Sequence, residues 1–288
     1  VYHALADGAG ALQFFKTLIF HYITIKYKYA LKDKFPVLDI EASKTQRMDD
    51  SFQKYYNDTK ILQKKKHLKA FKIKGPKIPE YRMSIIEGVI PVNKMLPKVK
   101  EYDTSLTIFF AAILMCAINE EIPVRLKKRP VVLSIPVNLR NYFHSQTARN
   151  FFGVINVAYD FSRGSTELRE VIEALKIQFK ENLTPEVLEK RINVLASLEH
   201  NIVLRIVPLA IKNLVLRIAN SIVDRSYTST LSNVGVINMP SDIKPFIYSF
   251  DIFVSTNKLQ ACVCSFENQL RVSFTSAFVS TEIQRRFF

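Results

Sequence analysis

The chain has 288 residues, 48% of them hydrophobic, with 12 prolines and no tryptophan; this is enough apolar material for a substantial core and excludes a wholly disordered polypeptide. Its formal charge is +15, and the excess is local, because residues 1–100 hold 20 Lys+Arg against 9 Asp+Glu. Such a surplus suits nucleic acid, anionic lipid or a phosphate-bearing small molecule, and equally a lysine-rich solvated face. The three cysteines, Cys116, Cys262 and Cys264, have neither the number nor the spacing of a secreted disulfide framework, so a cytoplasmic location is expected and no thiol is given a catalytic role.

The chain opens on His3-Ala4-Leu5-Ala6-Asp7-Gly8-Ala9-Gly10, which has the form HxxxDG. Histidine is suited to taking and returning a proton near neutral pH, and glycines let backbone approach a ligand closely. The same residues also read as a helix N-terminus capped by Asp7. A metal pair is discounted, since no further His, Cys or carboxylate cluster completes a site. Ala11 to about Tyr29 has helical spacing in Leu12, Phe15, Leu18, Ile19, Tyr22 and Ile23 and ends among Lys26, Lys28, Lys32 and Lys34 before Pro36, a placement that offsets the helix dipole. Residues 37–82, polar and lysine-rich, read as a connector with one or two short helices. The aromatics Phe52, Tyr55, Tyr56 and Phe71 fit a packing face better than nucleic-acid stacking, and no nucleic-acid partner is expected. A strand, Tyr81 to Val89, and a short helix, Pro91 to Lys100, follow.

Thr104 or Ser105 caps a helix through Ile108, Phe109, Ala112, Ile113, Cys116 and Ala117. The uncharged run Thr104–Asn119 is shorter than the roughly 20 residues that cross a bilayer, so a buried helix is expected and no membrane span. Val131 to Arg140 reads as a buried strand ending in a polar turn, which puts Asn138 and Arg140 at its C-terminal edge. A strand, Gly153–Phe161, and a helix, 166–181, come next. Thr184-Pro185-Glu186 opens a helical region to about Arg225 that Pro208 kinks or divides; His200 within it reads as a surface or boundary residue. Thr230-Leu231-Ser232-Asn233-Val234-Gly235 enters as a strand and breaks at polar residues and glycine, a simple turn or a place where Ser232 donates a hydrogen bond and Asn233 holds a carbonyl. The tail predicts a strand at about Phe246–Val254, a hairpin of Gln260–Phe266 and Gln269–Phe278, and a last helix from Ser280 or Thr281.

Taken together and in this order, His3 to Gly8, Ser134-Ile135-Pro136-Val137-Asn138-Leu139-Arg140 with Asn150-Phe151-Phe152-Gly153, and Ser232-Asn233-Val234-Gly235 resemble the motifs of the chloramphenicol acetyltransferase-like, condensation-domain acyltransferase superfamily, and within it bacterial alcohol acetyltransferase-like proteins. The resemblance implies a mixed α/β, two-lobed fold in which His3 is the general base; Tyr2 stands where the family has a first histidine. It implies a structural ion pair between Asp7 and Arg140, a role for Gly8 beside the base, and substrate contacts at Asn138, Ser232 and Asn233. It implies acyl-coenzyme A as co-substrate, no permanently bound cofactor or metal, and a small alcohol or amine as acceptor. On this reading residues 1–100 are the remainder of the N-terminal lobe after its catalytic strand plus a basic connector, residues 101–288 are the C-terminal lobe, and the sequence is part of a longer protein whose N-terminal lobe is incomplete here. A condensation-type amide-forming domain that uses carrier-protein thioesters, and a non-catalytic binding relative, are the alternatives.

Overall fold

The computed structural model describes residues 5–28, 48–57, 69–80, 82–123, 125, 127–201 and 206–288. Helix α1 (Gly8–Lys26) is followed by the short α2 (Ser51–Lys54), strand β1 (Ser84–Pro91), α3 (Val92–Glu101) and α4 (Leu106–Glu120). Strands β2 (Val131–Asn138) and β3 (Phe152–Tyr159) precede α5 (Leu168–Asn182), α6 (Pro185–His200) and α7 (Leu209–Asp224). The chain ends with β4 (Ser229–Val236), β5 (Leu259–Phe266), β6 (Gln269–Ser276) and α8 (Glu282–Phe287). The six strands form one mixed sheet in the order β1-β6-β5-β4-β2-β3. β4 runs parallel to both β2 and β5, and the other pairs are antiparallel.

The two faces of this sheet differ because side chains alternate along each strand. On one face Leu133, Ile135, Ile155, Leu231, Val263, Val272 and Phe274 meet α4, α5 and α8 in the main core. Helix α4 is apolar on all sides and is buried almost throughout, as such a helix must be; Ser105 caps it, its Oγ accepting from the Ile108 N–H. The opposite face carries Ser134, Pro136, Asn138, Ser232 and Gln260 by the same register. Helix α1 is fixed beside it by Phe20 and Ile23, which pack with Ile237, Met239, Ile243, Phe250, Cys264 and Phe266. A third cluster joins α2 to α6: Phe52 and Tyr55 pack with Phe151, Leu188 and Ile192, and Tyr56 stacks on His200 at 4.4 Å. The connector aromatics are thus packing residues, and Phe71 lies in the main core.

Helix α1 begins at Gly8 rather than Ala11, and β1 begins at Ser84 rather than Tyr81. Pro208 divides the long helical region, standing immediately before α7. The strand expected over 246–254 is absent. Lys244–Phe246 form a single 3-10 turn and the following residues cross the sheet face instead. Both edges of β5 and of β6 are already taken by neighbours, so the crossing segment is tied by side chains: Thr275 Oγ1 donates to the Val254 carbonyl, Cys264 Sγ to that of Phe250 and Gln269 Nε2 to that of Tyr248. Among the described residues no single helix is long and apolar enough to cross a membrane.

Candidate active site

Asp7 is the residue from which the site is built. It is the N-cap of α1, its Oδ1 accepting from the Gly10 N–H at 2.9 Å. Its Oδ2 accepts from Arg140 Nη1 at 2.7 Å and from the Phe151 N–H at 2.8 Å. The two readings of this stretch, a helix cap and a partner for Arg140, are therefore both present in one carboxylate. Arg140 follows β2 on a 3-10 turn, Leu139–Asn141. Its other donors are spent on the loop between β2 and β3: Nε and Nη2 reach the Thr147 carbonyl at 3.1 and 3.0 Å, and Nη2 reaches that of Arg149 at 2.7 Å. The planar guanidinium is the side chain whose fixed fork can hold several acceptors at once. Asn138 Oδ1 completes the cage, accepting from both the backbone and Nη1 of Arg140 at 3.2 and 3.1 Å.

A pocket of about 270 Å³ opens beside this cage. It brings together Asp7, Gly8, Asn138, Arg140, Ser232 and Asn233, residues drawn from α1, the end of β2 and β4. His3 lies outside the described residues. On β4 the register with β5 shifts between Asn233 and Gly235, and Gly235 takes φ +83°, the left-handed region that favours glycine. Asn233 stabilises the shift, its Oδ1 accepting from the Gly235 N–H at 2.9 Å, while its Nδ2 donates to Thr107 Oγ1 at 2.9 Å. That amide is therefore engaged in tying β4 to α4, and its neighbour Ser232 lines the pocket from the opposite face of β4.

Sequence reasoning did not name Lys16, Gln13, Gln260, Ile252 or Val254 as site residues and gave Phe152 only within the Asn150–Gly153 motif; all six line the same pocket. Lys16 had a readable signal: Gly8, Leu12 and Lys16 are spaced four apart, on one face of α1. It is half-buried, and desolvation pushes its pKa below the ordinary lysine value. Ile252 and Val254 reach the pocket because their segment crosses the sheet face rather than pairing at an edge.

Two further cavities share lining residues with this pocket or with each other. One, of about 820 Å³, shares Gln260 with the Asp7 pocket and is lined also by Lys77, Arg82, Asp224 and Asn257. The other, of about 300 Å³, is lined by Lys72, Lys74, Lys77, Asp224 and Lys258. All three thiols are free, and burial pushes them up, Cys116 and Cys262 to about 11 and Cys264 to about 12. None is poised as a nucleophile. Among the described residues no group of three or more His, Cys, Asp or Glu side chains is placed to hold a metal ion.

No protein-family profile matches the chain, and no curated protein sequence does. Solved structures are similar over its whole length. Polyketide synthase associated protein 5 from Mycobacterium tuberculosis is 10% identical with a TM-score of 0.54, the match covering 100% of this chain and 70% of that one. The epimerization domain from the third module of tyrocidine synthetase B is 12% identical with a TM-score of 0.53, covering 100% and 66%. The first condensation domain of the CDA synthetase is 12% identical with a TM-score of 0.52, covering 100% and 60%. The chain thus spans between 60% and 70% of the length of these structures. At such identities the likeness is one of architecture, and the mixed α/β architecture expected from the sequence is the observed one: the chain has the condensation-type, chloramphenicol acetyltransferase-like fold.

Proposed function

We propose that the chain carries an acyltransferase site that moves an acyl group, acetyl in the simplest case, from a coenzyme A thioester to an alcohol. His3 takes the proton of the acceptor hydroxyl as its oxygen attacks the thioester carbonyl, and returns that proton to the sulfur as the C–S bond breaks. The observation that supports this most directly is the Asp7–Arg140 pair: it fixes Asp7 and Gly8, the end of the HxxxDG segment, at a pocket that Ser232 also lines. The developing oxyanion is met by the Ser232 hydroxyl and by the N–H groups of Gly8 and Ala9, which the first turn of a helix leaves outside its own ladder. Asn233 positions β4 and is not needed as a donor, given its bond to Thr107. The lysines Lys72, Lys74 and Lys77 line a cavity that shares Lys77, Asp224 and Asn257 with a second one, which in turn shares Gln260 with the Asp7 pocket, and they hold the phosphates of the donor.

The complete natural polypeptide and its His3→Ala variant, incubated with acetyl-coenzyme A and a panel of alcohols and amines, test this reading by thiol release and product formation. Transfer by the wild type that falls at least about a hundredfold in the variant is the expected result, as for loss of a general base. Equal rates from two folded proteins overturn it. The likeness of fold to condensation domains favours a second reading, in which the thioester rides on a carrier protein and the acceptor is an amine. Transfer from carrier-bound acyl phosphopantetheine, with none from the free coenzyme, would select it.

A further inference from the structure

Among the described residues Lys16 is a cation without an anion. It projects from α1 into the Asp7 pocket and is half-buried there. Among the described residues it has no hydrogen-bond or ion-pair partner, and burial alone acts on its pKa, downward. The pocket's other charged groups are Asp7 and Arg140, and these are committed to each other at 2.7 Å. Every remaining wall is neutral: amides and a hydroxyl at Gln13, Asn138, Ser232, Asn233 and Gln260, and apolar side chains at positions such as Leu12, Phe152 and Ile252. Taking an ammonium partly out of water is costly unless a partner compensates it. No described residue supplies that compensation, although a single Asp or Glu on a facing strand would.

We propose that Lys16 binds the carboxylate of a small monoanionic ligand whose apolar body lies along Leu12, Phe152 and Ile252. Resting on the acyltransferase reading, this makes the acceptor an alcohol that bears a carboxylate, a hydroxy acid. One negative charge fits one unpaired cation. A multiply charged phosphate would leave charge unmatched in a pocket of about 270 Å³, and the cations able to match it cluster instead at Lys72, Lys74 and Lys77. The apolar part of the wall, at Leu12, Phe152 and Ile252, favours a short alkyl chain.

The test compares 3-hydroxyhexanoate with its methyl ester, which is uncharged and one methyl group larger, by titration calorimetry on the wild type and on Lys16→Gln and Lys16→Arg. A charge-assisted hydrogen bond in this setting corresponds to roughly 10- to 100-fold in affinity. The wild type is expected to prefer the acid by that factor. Lys16→Gln is expected to lose the preference with ester binding unchanged, and Lys16→Arg to keep most of it. Equal binding of acid and ester by the wild type, an unchanged preference in Lys16→Gln, or no binding of either ligand overturns the proposal. Because the readout is binding, it separates the two readings: Lys16-dependent acid binding without acyl transfer would retire the transferase and leave this site, whereas transfer with no acid preference would do the reverse.

Discussion

Arg140 and Asp7 lie 133 residues apart in the chain and 2.7 Å apart in the fold, with the aspartate side chain 4% exposed and the arginine side chain 14% exposed. One contact therefore couples three structures: the N-terminus of α1, the C-terminal end of β2, and the loop carrying Thr147, Arg149 and Phe151, whose carbonyl and N–H groups the pair satisfies. Neither residue has a spare interaction for proton transfer. Their chemistry is positional, and what they position is the entrance to the candidate site.

Breaking the pair from one side leaves a charge stranded in a place water reaches poorly. Asp7→Asn and Arg140→Met are each expected to destabilise the protein by about 3–5 kcal/mol, the usual cost of removing one partner of a buried pair. The double variant is expected to lose less than the sum, with a coupling of at least ~1 kcal/mol. Urea unfolding of the four proteins measures both quantities. Simple additivity would show that the two groups, despite their distance, do not stabilise one another.

The glycines of the opening motif are unequal. A Cβ at Gly10 would overlap the carbonyl oxygen of Ala148, which is backbone and cannot swing aside, whereas a Cβ at Gly8 would meet nothing within 4 Å. Gly10→Ala should therefore push α1 away from the Arg140 loop and cost about 1–3 kcal/mol. Gly8→Ala should leave stability unchanged or raise it by about 0.4–1 kcal/mol through the unfolded chain. Thermal and urea midpoints distinguish them, and a Gly10→Ala protein as stable as the wild type would contradict the tight approach.

What the sequence made legible follows from how local each signal is. Helix α4 was readable because apolar residues on every side leave a helix nowhere to go but the core, and Ser105 marks its start. The edge position of Asn138 and Arg140 was readable from an apolar run that turns polar. The meeting of Arg140 with Asp7 has no local signal, and only the resemblance of three separated motifs suggested it. Residues 246–254 misled because Ile252 and Val254 alternate as in a strand, while the pairing edges they would need are occupied by β1, β4, β5 and β6. Lys16 went unnoticed since one lysine on an amphipathic helix looks like solvent-facing charge; only the packing of α1 against the sheet turns it inward.

The thiols give a prediction with a definite sign in pH. Burial holds Cys116 and Cys262 at about 11 and Cys264 at about 12, above the value near 8.5 of an unfolded cysteine. Their contribution to stability is fully present below that unfolded value and is lost as pH rises through the folded ones, because the unfolded chain then releases protons that the folded chain retains. The protein should thus unfold at lower urea between about pH 9 and 12. At pH 8 a disulfide reagent should modify all three cysteines in denaturant and react slowly with the native protein. Fast modification of the native protein would mean that a thiol is exposed and activated, and would reopen a cysteine-based chemistry.

On the proposed acyltransferase reading, the lysine cavity holds the phosphate end of the donor apart from its thioester. Lys258 is not one of the residues expected to touch the ligand: its Nζ donates to the Asp224 carboxylate at 2.9 Å and to the Asp224 and Tyr227 carbonyls at 2.7 and 3.3 Å, which occupies all three of its protons. Lys74 and Lys77 are exposed at the cavity, and Lys72 is only 3.6 Å from Asp224 at the rim. Lys72→Gln, Lys74→Gln and Lys77→Gln combined should raise the KM for acetyl-coenzyme A roughly tenfold, since each partly screened contact is worth up to about 1 kcal/mol. The KM for acetyl-pantetheine, which has the thioester and no phosphate, should not move, and added salt should weaken only the phosphorylated donor. Equal losses for both donors would place the damage in the fold rather than in phosphate binding, and no loss for either would remove the cavity from the donor's path.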